Sequence, residues 1–173
     1  EVVYVGGEFS SAGGQARSNI AALDAVTGLA TTWAPQANGS VRALVASGGI
    51  VYAGGQFLSI GGQARSRLAA LDATTGLATA WAPGSDGTVR ALAVSGGMVW
   101  AGGFFSSIGG QVRGNLAALD VTTGLALLGN PNATGQVATL VVSGGTLFVG
   151  GAFTSVGGMP RSNLAALDVA TAL

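Results

Sequence analysis

Short apolar runs alternate along this chain with turns rich in glycine, serine and threonine. Between positions 41 and 83 the runs "VRALVA", "IVYA", "LAAL" and "LATAW" are separated by such turns. Isolated helices shorter than about 12 residues do not persist in water, and Gly or Pro brackets these runs. The pattern therefore predicts four β-strands, at residues 41–46, 50–53, 68–71 and 77–81.

One unit of 48 residues recurs through the whole chain without insertion or deletion. Its most visible mark is a Gly-Gly doublet after the second predicted strand, which occurs at Gly6-Gly7, Gly54-Gly55, Gly102-Gly103 and Gly150-Gly151. A phenylalanine keeps the same step, at Phe9, Phe57, Phe105 and Phe153. A period of roughly 40–50 residues with four short strands is typical of a β-propeller blade.

The repeat therefore predicts an all-β protein, a β-propeller with four-stranded antiparallel blades and about 3.6 blades in 173 residues. We expect a single repeat domain whose units lie at about 1–40, 41–88, 89–136 and 137–173. The apolar runs lack clean alternation, which is expected of strands buried on both faces by neighbouring blades. A β-helix with two coils per unit is the alternative architecture.

An aspartate and an arginine recur with the glycines. The aspartates begin an Asp-x-x-Thr-Gly motif, with Ala172 in the Gly position of the last copy; they are Asp24, Asp72, Asp120 and Asp168. An Asp side chain accepts hydrogen bonds from N–H groups two or three residues on, so we expect a structural turn, with calcium ligation as the alternative.

The arginines lie seven residues before each aspartate, at Arg17, Arg65, Arg113 and Arg161. A guanidinium carries five donors, so each arginine is expected to tie its unit together through a carboxylate or a backbone carbonyl. A row of anion-binding sites is the alternative.

A few positions vary between units where the rest of the repeat is kept. The position after the Gly-Gly doublet is the best candidate for a ligand face, and it holds Glu8, Gln56, Phe104 and Ala152. Trp33 and Trp81 share a register that Gly129 occupies in the third unit. In the same way, Arg42 and Arg90 correspond to Ala138.

The composition excludes several classes of function. Charged residues make up 8% of the chain and the formal net charge is zero, so there is no basic patch for nucleic acid. No apolar stretch is long enough for a membrane span. His, Cys and Lys are absent, which removes the commonest bases and nucleophiles. We therefore predict a protein that is not an enzyme, with no catalytic residues, no metal and no cofactor.

The unit "VYAGGQF…LAALDATTG…WAP…VRALAVSGG" resembles the Gly-Gly propeller repeats of large surface or secreted proteins of bacteria and archaea. It is also similar to the propellers of fungal cortical-marker proteins. A more distant similarity is to kelch repeats, through Gly54-Gly55 and Trp81, although the kelch Tyr before the Trp is replaced by the "LAALD" run. The resemblance implies architecture and an extracellular or cell-surface location rather than an activity.

The chain begins at a second strand, residues 2–5, and ends just after a third strand, residues 164–167. Exposed strand edges attract further strands, so we expect a partner, either a second copy or adjacent repeats of a longer chain. The predicted function is a structural or adhesive surface module that assembles through its end blades. The alternatives are a propeller that binds a glycan or peptide, and an engineered or consensus repeat protein.

Overall fold

The structure, a computed structural model, describes residues 1–129 and 131–171. These residues form β-strands and turns, and within them there is no helix long and apolar enough to cross a membrane. The long strands of the repeat are β1 (Val2–Gly6), β4 (Ile20–Asp24), β5 (Val41–Ser47), β6 (Ile50–Gly55), β9 (Leu68–Asp72), β10 (Thr88–Ser95), β11 (Met98–Phe104), β14 (Leu116–Asp120), β15 (Gln136–Ser143), β16 (Thr146–Ala152) and β19 (Leu164–Asp168).

These strands form four antiparallel sheets that follow one another along the chain, and we call each sheet a blade. Blade 1 consists of β1 and β4, blade 2 of β5, β6 and β9, blade 3 of β10, β11 and β14, and blade 4 of β15, β16 and β19. The register is the same in each: Tyr52 lies opposite Ala70 in blade 2, and Trp100 lies opposite Ala118 in blade 3. Residues 48 positions apart in the sequence therefore occupy equivalent positions in the strand pairing of successive blades.

The predicted fourth strand is shorter than the sequence indicated. Of residues 77–81, only Ala78 pairs with the sheet, in a single antiparallel bridge to Leu71. Beyond it the Thr79 carbonyl accepts a hydrogen bond from the Arg65 guanidinium at 2.5 Å instead of from another strand. The chain then turns, and Trp81 leaves the sheet to contact the next blade. The same one-residue bridge ends the sheets of blades 1, 2 and 3, at Leu23–Ala30, Leu71–Ala78 and Leu119–Ala126.

The loop after each Gly-Gly doublet contains a small β-hairpin that the hydrophobic pattern did not predict. Each of its two strands has two residues. These short strands are β2 (Ser11–Ala12), β3 (Gln15–Ala16), β7 (Ser59–Ile60), β8 (Gln63–Ala64), β12 (Ser107–Ile108), β13 (Gln111–Val112), β17 (Ser155–Val156) and β18 (Met159–Pro160). Two glycines with positive φ form each turn, as at Gly61 and Gly62. Because each strand has only two residues, no periodicity was available to reveal it.

The Gly-Gly doublet is required by close packing on both of its residues. A Cβ on Gly55 would lie 2.1 Å from the Ser40 carbonyl oxygen, beside the bulge between Val41 and Ala43. A Cβ on Gly54 would lie 2.6 Å from Cγ1 of Val89 in the next blade. The doublet therefore allows both the bulge within a blade and the close approach between blades.

The core lies between successive blades rather than within one of them. One side of each blade, its forward face, presents an aromatic residue, a large aliphatic residue and an alanine; in blade 2 these are Tyr52, Leu68 and Ala70. The opposite side of the next blade, its rear face, presents a Val, an Ala and a Leu; in blade 3 these are Val99, Ala101 and Leu119. All six residues are buried at this junction.

The two outermost faces have no neighbour among the described residues. On the forward face of blade 4, Leu164 is 68% exposed and Phe148 is 43% exposed. On the rear face of blade 1, Val3 is 49% exposed. The equivalent residues at the inner junctions, such as Leu116 and Val99, are fully buried.

Candidate functional site

Each recurring aspartate forms a hydrogen-bonded turn. In blade 2, Oδ1 of Asp72 accepts hydrogen bonds from the N–H groups of Thr74 and Thr75 at 3.0 and 2.7 Å and from the Thr75 hydroxyl at 2.9 Å. The same three contacts recur at Asp24, Asp120 and Asp168. Ala172, which takes the place of the Gly in the last copy of the motif, lies outside the described residues.

These contacts lower the pKa of the aspartates. For Asp72 the largest cause is the Thr75 backbone N–H, followed by the Thr75 hydroxyl and the Thr74 N–H, and together they hold its pKa below the ordinary value of 3.8. The pKa values of the three equivalent aspartates are lowered by the same kind of contacts. Hydrogen bonds to an ionised carboxylate favour its charged form, so the turn is strongest when the aspartate is ionised.

The recurring arginines contact backbone carbonyls in the first three blades. Arg65 donates to the carbonyls of Ala64 and Thr79 at 2.7 and 2.5 Å, and Arg17 and Arg113 make the equivalent contacts. Arg161 of blade 4 lies beside a small cavity with Met159 and Leu167. The arginines and aspartates that share the repeat are therefore not paired in blades 1 to 3; each binds its own part of the backbone.

Trp33 and Trp81 connect neighbouring blades, a role that sequence analysis missed. The indole N–H of Trp81 donates to the Asp120 carbonyl of blade 3 at 3.0 Å, and Trp33 donates to the Asp72 carbonyl of blade 2 at the same distance. Trp81 also packs edge-on against Tyr52, with ring centroids 5.2 Å apart. The signal was the shared register of the two tryptophans, but a register alone does not identify a partner 39 residues away.

The predicted ligand-face positions are all exposed, and three of them line cavities between blades. Glu8 and Gln56 line a cavity of about 410 Å³ between blades 1 and 2, which we call the 1/2 groove, together with Asn19, Asn38 and Ser40. Glu8 also lies 3.9 Å from the Arg42 guanidinium, an exposed pair of little energetic weight. Ala152 ends β16, where it pairs with Gln136.

Phe104 lines the equivalent cavity between blades 2 and 3, which we call the 2/3 groove. This cavity has a volume of about 500 Å³, and its polar lining residues are Arg67, Asp86, Thr88, Ser106 and Asn115. The Phe104 side chain is 65% exposed. An aromatic ring in a cavity bounded by charged and hydroxyl groups is a common composition for a small-molecule site.

Asp86 is held firmly at the edge of the 2/3 groove. Its Oδ1 accepts hydrogen bonds from the N–H groups of Ser106 and Ser107 at 2.9 and 3.0 Å, and its Oδ2 accepts one from the Ser106 hydroxyl. Partial burial raises the pKa of Asp86, but these hydrogen bonds outweigh it and lower the pKa from 3.8 to about 2. Asp86 is therefore ionised at neutral pH.

Among residues 1–129 and 131–171, no three acidic side chains lie close enough together to hold a metal ion. The recurring aspartates are separated by a whole blade, and the bonding of each Oδ1 is already used within its own turn.

Comparison with known proteins shows the architecture. No family model matches the chain, and no curated protein matches it. Among solved structures, the computationally designed Ika8 protein matches with 18% identity and a TM-score of 0.59, over 89% of this chain and 41% of that chain. The computationally designed Ika4 protein matches with 18% identity and a TM-score of 0.55, over 87% of this chain and 79% of that chain.

BamB from Moraxella catarrhalis matches with 24% identity and a TM-score of 0.53, over 89% of this chain and 44% of that chain. This chain thus spans less than half the length of Ika8 and of BamB. These proteins are β-propellers, so the blades described above form a propeller-type arrangement, as the repeat predicted. At these identities the likeness concerns the fold alone.

Proposed function

We propose that this chain is a structural propeller module that is not an enzyme and that assembles by stacking a second copy on its two outer faces. The supporting observation is that the free faces carry the same residue types as the faces that are buried together inside the molecule. The forward face of blade 4 presents Phe148 and Leu164, where blade 2 presents Tyr52 and Leu68.

The rear face of blade 1 has the matching composition. Val3 and Leu23 occupy the positions of Val99 and Leu119, which cover the forward face of blade 2 in the existing junction. A head-to-tail contact between two copies would therefore repeat a junction that the fold already forms three times, between blades 1 and 2, 2 and 3, and 3 and 4. Burying large aliphatic and aromatic side chains contributes roughly 1.5–3 kcal/mol each, so the free faces have a clear drive to associate.

Head-to-tail contacts produce a ring if the rotation closes and a filament if it does not. The proposed assembly is a closed dimer, the smallest ring that copies of this chain can form. The low charge of the chain and its resemblance to the repeats of surface proteins support a location outside the cell.

Sedimentation of the purified chain tests the assembly. We expect a dimer at micromolar concentration, and expect both Phe148→Asp and Val3→Asp to be monomeric while keeping the β-sheet circular dichroism of the parent. Leu128→Asp is the matched control, because Leu128 is fully exposed and outside both faces. A parent chain that stays monomeric at about 100 µM would rule out the second copy as the occupant.

Mixing the two variants tests the head-to-tail arrangement. Phe148→Asp keeps an intact rear face and Val3→Asp keeps an intact forward face, so the mixture is expected to form a one-to-one complex that neither variant forms alone. If the contact instead joined two identical faces, one of the single variants would still dimerise by itself. That result would refute the head-to-tail contact.

A further inference from the structure

The 2/3 groove differs from the other inter-blade loops at several positions at once. Arg67 stands where the other units have asparagine, Asp86 where they have asparagine or threonine, and Phe104 where they have glutamate, glutamine or alanine. These three departures lie up to 37 positions apart in sequence, yet they line one cavity. Arg67 and Asp86 keep the backbone contacts of their equivalents, so what differs between the units is the pair of charges and the aromatic ring brought to this cavity.

Arg67 carries a conformational cost that its equivalents avoid. Its φ is 64°, and the φ values of Asn19, Asn115 and Asn163 are within a few degrees of it. Asparagine tolerates this left-handed region well, whereas arginine rarely adopts it. Asn115 also uses its side-chain oxygen to accept the Phe105 N–H at 3.2 Å, and an arginine has no acceptor to replace it.

The residue with this strained backbone places its guanidinium in the 2/3 groove. Nη1 of Arg67 donates to the Ser85 carbonyl at 2.9 Å, as Asn19 and Asn115 donate to the carbonyls of Ala37 and Ala133, and the guanidinium carries further N–H donors. Residues kept in unfavourable backbone regions cluster at functional sites, where their chemistry compensates for the strain. Arg67 therefore keeps the backbone contact of its equivalents and adds N–H donors that an asparagine lacks.

We propose that the 2/3 groove is a binding site for a neutral hexopyranose unit of a glycan. The exposed Phe104 ring offers a flat apolar surface for the C–H face of the sugar. Asp86 accepts hydrogen bonds from sugar hydroxyls, and Arg67 donates to sugar oxygens; such charge-assisted bonds are the stronger kind. The two charges cancel, which favours a neutral sugar over an acidic or basic one.

The surroundings of Phe104 are open enough for such a ligand. The Phe104 side chain is 65% exposed. The cavity volume of about 500 Å³ lies within the usual range for small-molecule sites.

Titration calorimetry with methyl glycosides of glucose, galactose, mannose and N-acetylglucosamine tests the proposal. At least one of them is expected to bind at one site per chain, with a Kd below about 10 mM. Phe104→Gln, Asp86→Asn and Arg67→Asn each install the residue of the 1/2 groove, so these variants should fold. Each is expected to weaken binding about tenfold, which corresponds to the loss of one good contact. Glu8→Gln, in the 1/2 groove, is the control and should bind like the parent.

Arg67→Asn has a second readout that a structural role would not give. Because asparagine relieves the left-handed backbone, this variant should unfold at a higher urea concentration while it binds the sugar more weakly. A transplant adds a gain of function: Asn19→Arg, Asn38→Asp and Gln56→Phe together should raise the stoichiometry from one site per chain to two.

The proposal is overturned if none of the four glycosides binds, or if Phe104→Gln binds as tightly as the parent. Equally tight binding of methyl glucuronide, which is acidic, would refute the choice of a neutral sugar. The site lies in the loops between blades 2 and 3 and does not depend on assembly. Repeating the titration with Phe148→Asp therefore separates a failure of the sugar site from a failure of the proposed dimer.

Discussion

Blade 3 and blade 4 have nearly the same sequence in their core strands but different surroundings. Leu116 of blade 3 is fully buried, whereas Leu164, the same residue of the same "LAAL" strand, is 68% exposed in blade 4. Trp100 is fully buried, and its equivalent Phe148 is 43% exposed. The comparison shows that a blade of this protein does not contain its own core. Each junction creates the core, so stability is a property of neighbouring pairs.

The largest expected difference in stability is between the same leucine-to-alanine substitution made in blade 3 and in blade 4. Leu116→Ala removes a fully buried side chain and should lower the free energy of unfolding by about 2–5 kcal/mol. Leu164→Ala removes an exposed one and should change it by less than about 0.5 kcal/mol. Urea unfolding measured in the Phe148→Asp background keeps the proposed assembly out of the comparison. Equal effects of the two substitutions would mean that each blade is stable by itself.

A smaller effect is expected from the hydrogen bond between blades 2 and 3. Trp81→Phe keeps most of the buried ring but removes the donor to the Asp120 carbonyl, so we expect a loss of about 1–2 kcal/mol in urea unfolding. Trp33→Phe should cost a similar amount at the first junction, where the Asp72 carbonyl is the acceptor. No loss in either variant would show that the indole contributes only by its packing.

The smallest expected effect concerns the turns, which are the same in inner and outer blades. The aspartates have a lower pKa in the folded protein than the ordinary 3.8, so their contribution to stability is complete above this value and is lost as the pH falls toward the folded pKa. For Asp86 this window reaches down to about pH 2. The urea midpoint should therefore fall between about pH 5 and pH 2.

Asp72→Asn should make that decrease shallower, because an asparagine oxygen accepts the same hydrogen bonds without titrating. Glu8→Gln removes an acid outside the turns and is the matched control. Since the turn contacts are local, Asp24→Asn of an outer blade should act like Asp72→Asn. If neither Asp72→Asn nor Asp24→Asn changed the pH profile, the turn aspartates would not be the cause of the loss of stability in acid.

Much of the fold could be predicted from the sequence because the repeat has an unbroken step. The first three strands of the second unit were predicted to within two residues, since apolar runs such as "IVYA" are flanked by glycine turns. The fourth strand was not, because "LATAW" has the apolar content of a strand while its Thr79 carbonyl is taken by Arg65. Apolar content does not reveal where a carbonyl finds its donor.

The candidate site was predicted less completely. The variable position after the Gly-Gly doublet identified Phe104, and the interpretation of Arg65 left a backbone contact as one of two choices. Arg67 and Asp86 were missed, although both depart from the repeat, because nothing in a linear pattern shows that they line one cavity with Phe104. The predicted surface location and consensus origin stay predictions.

The tryptophan hydrogen bonds all run in one direction along the chain, from an earlier blade to a later one. Trp33 reaches the carbonyl of a residue 39 positions further on, so its partner does not exist until the ribosome has added most of another unit. During synthesis each blade must therefore wait for its successor before its forward face is covered. Folding on the ribosome should lag translation by about one blade, and the most recently made face should be the one that needs protection from aggregation.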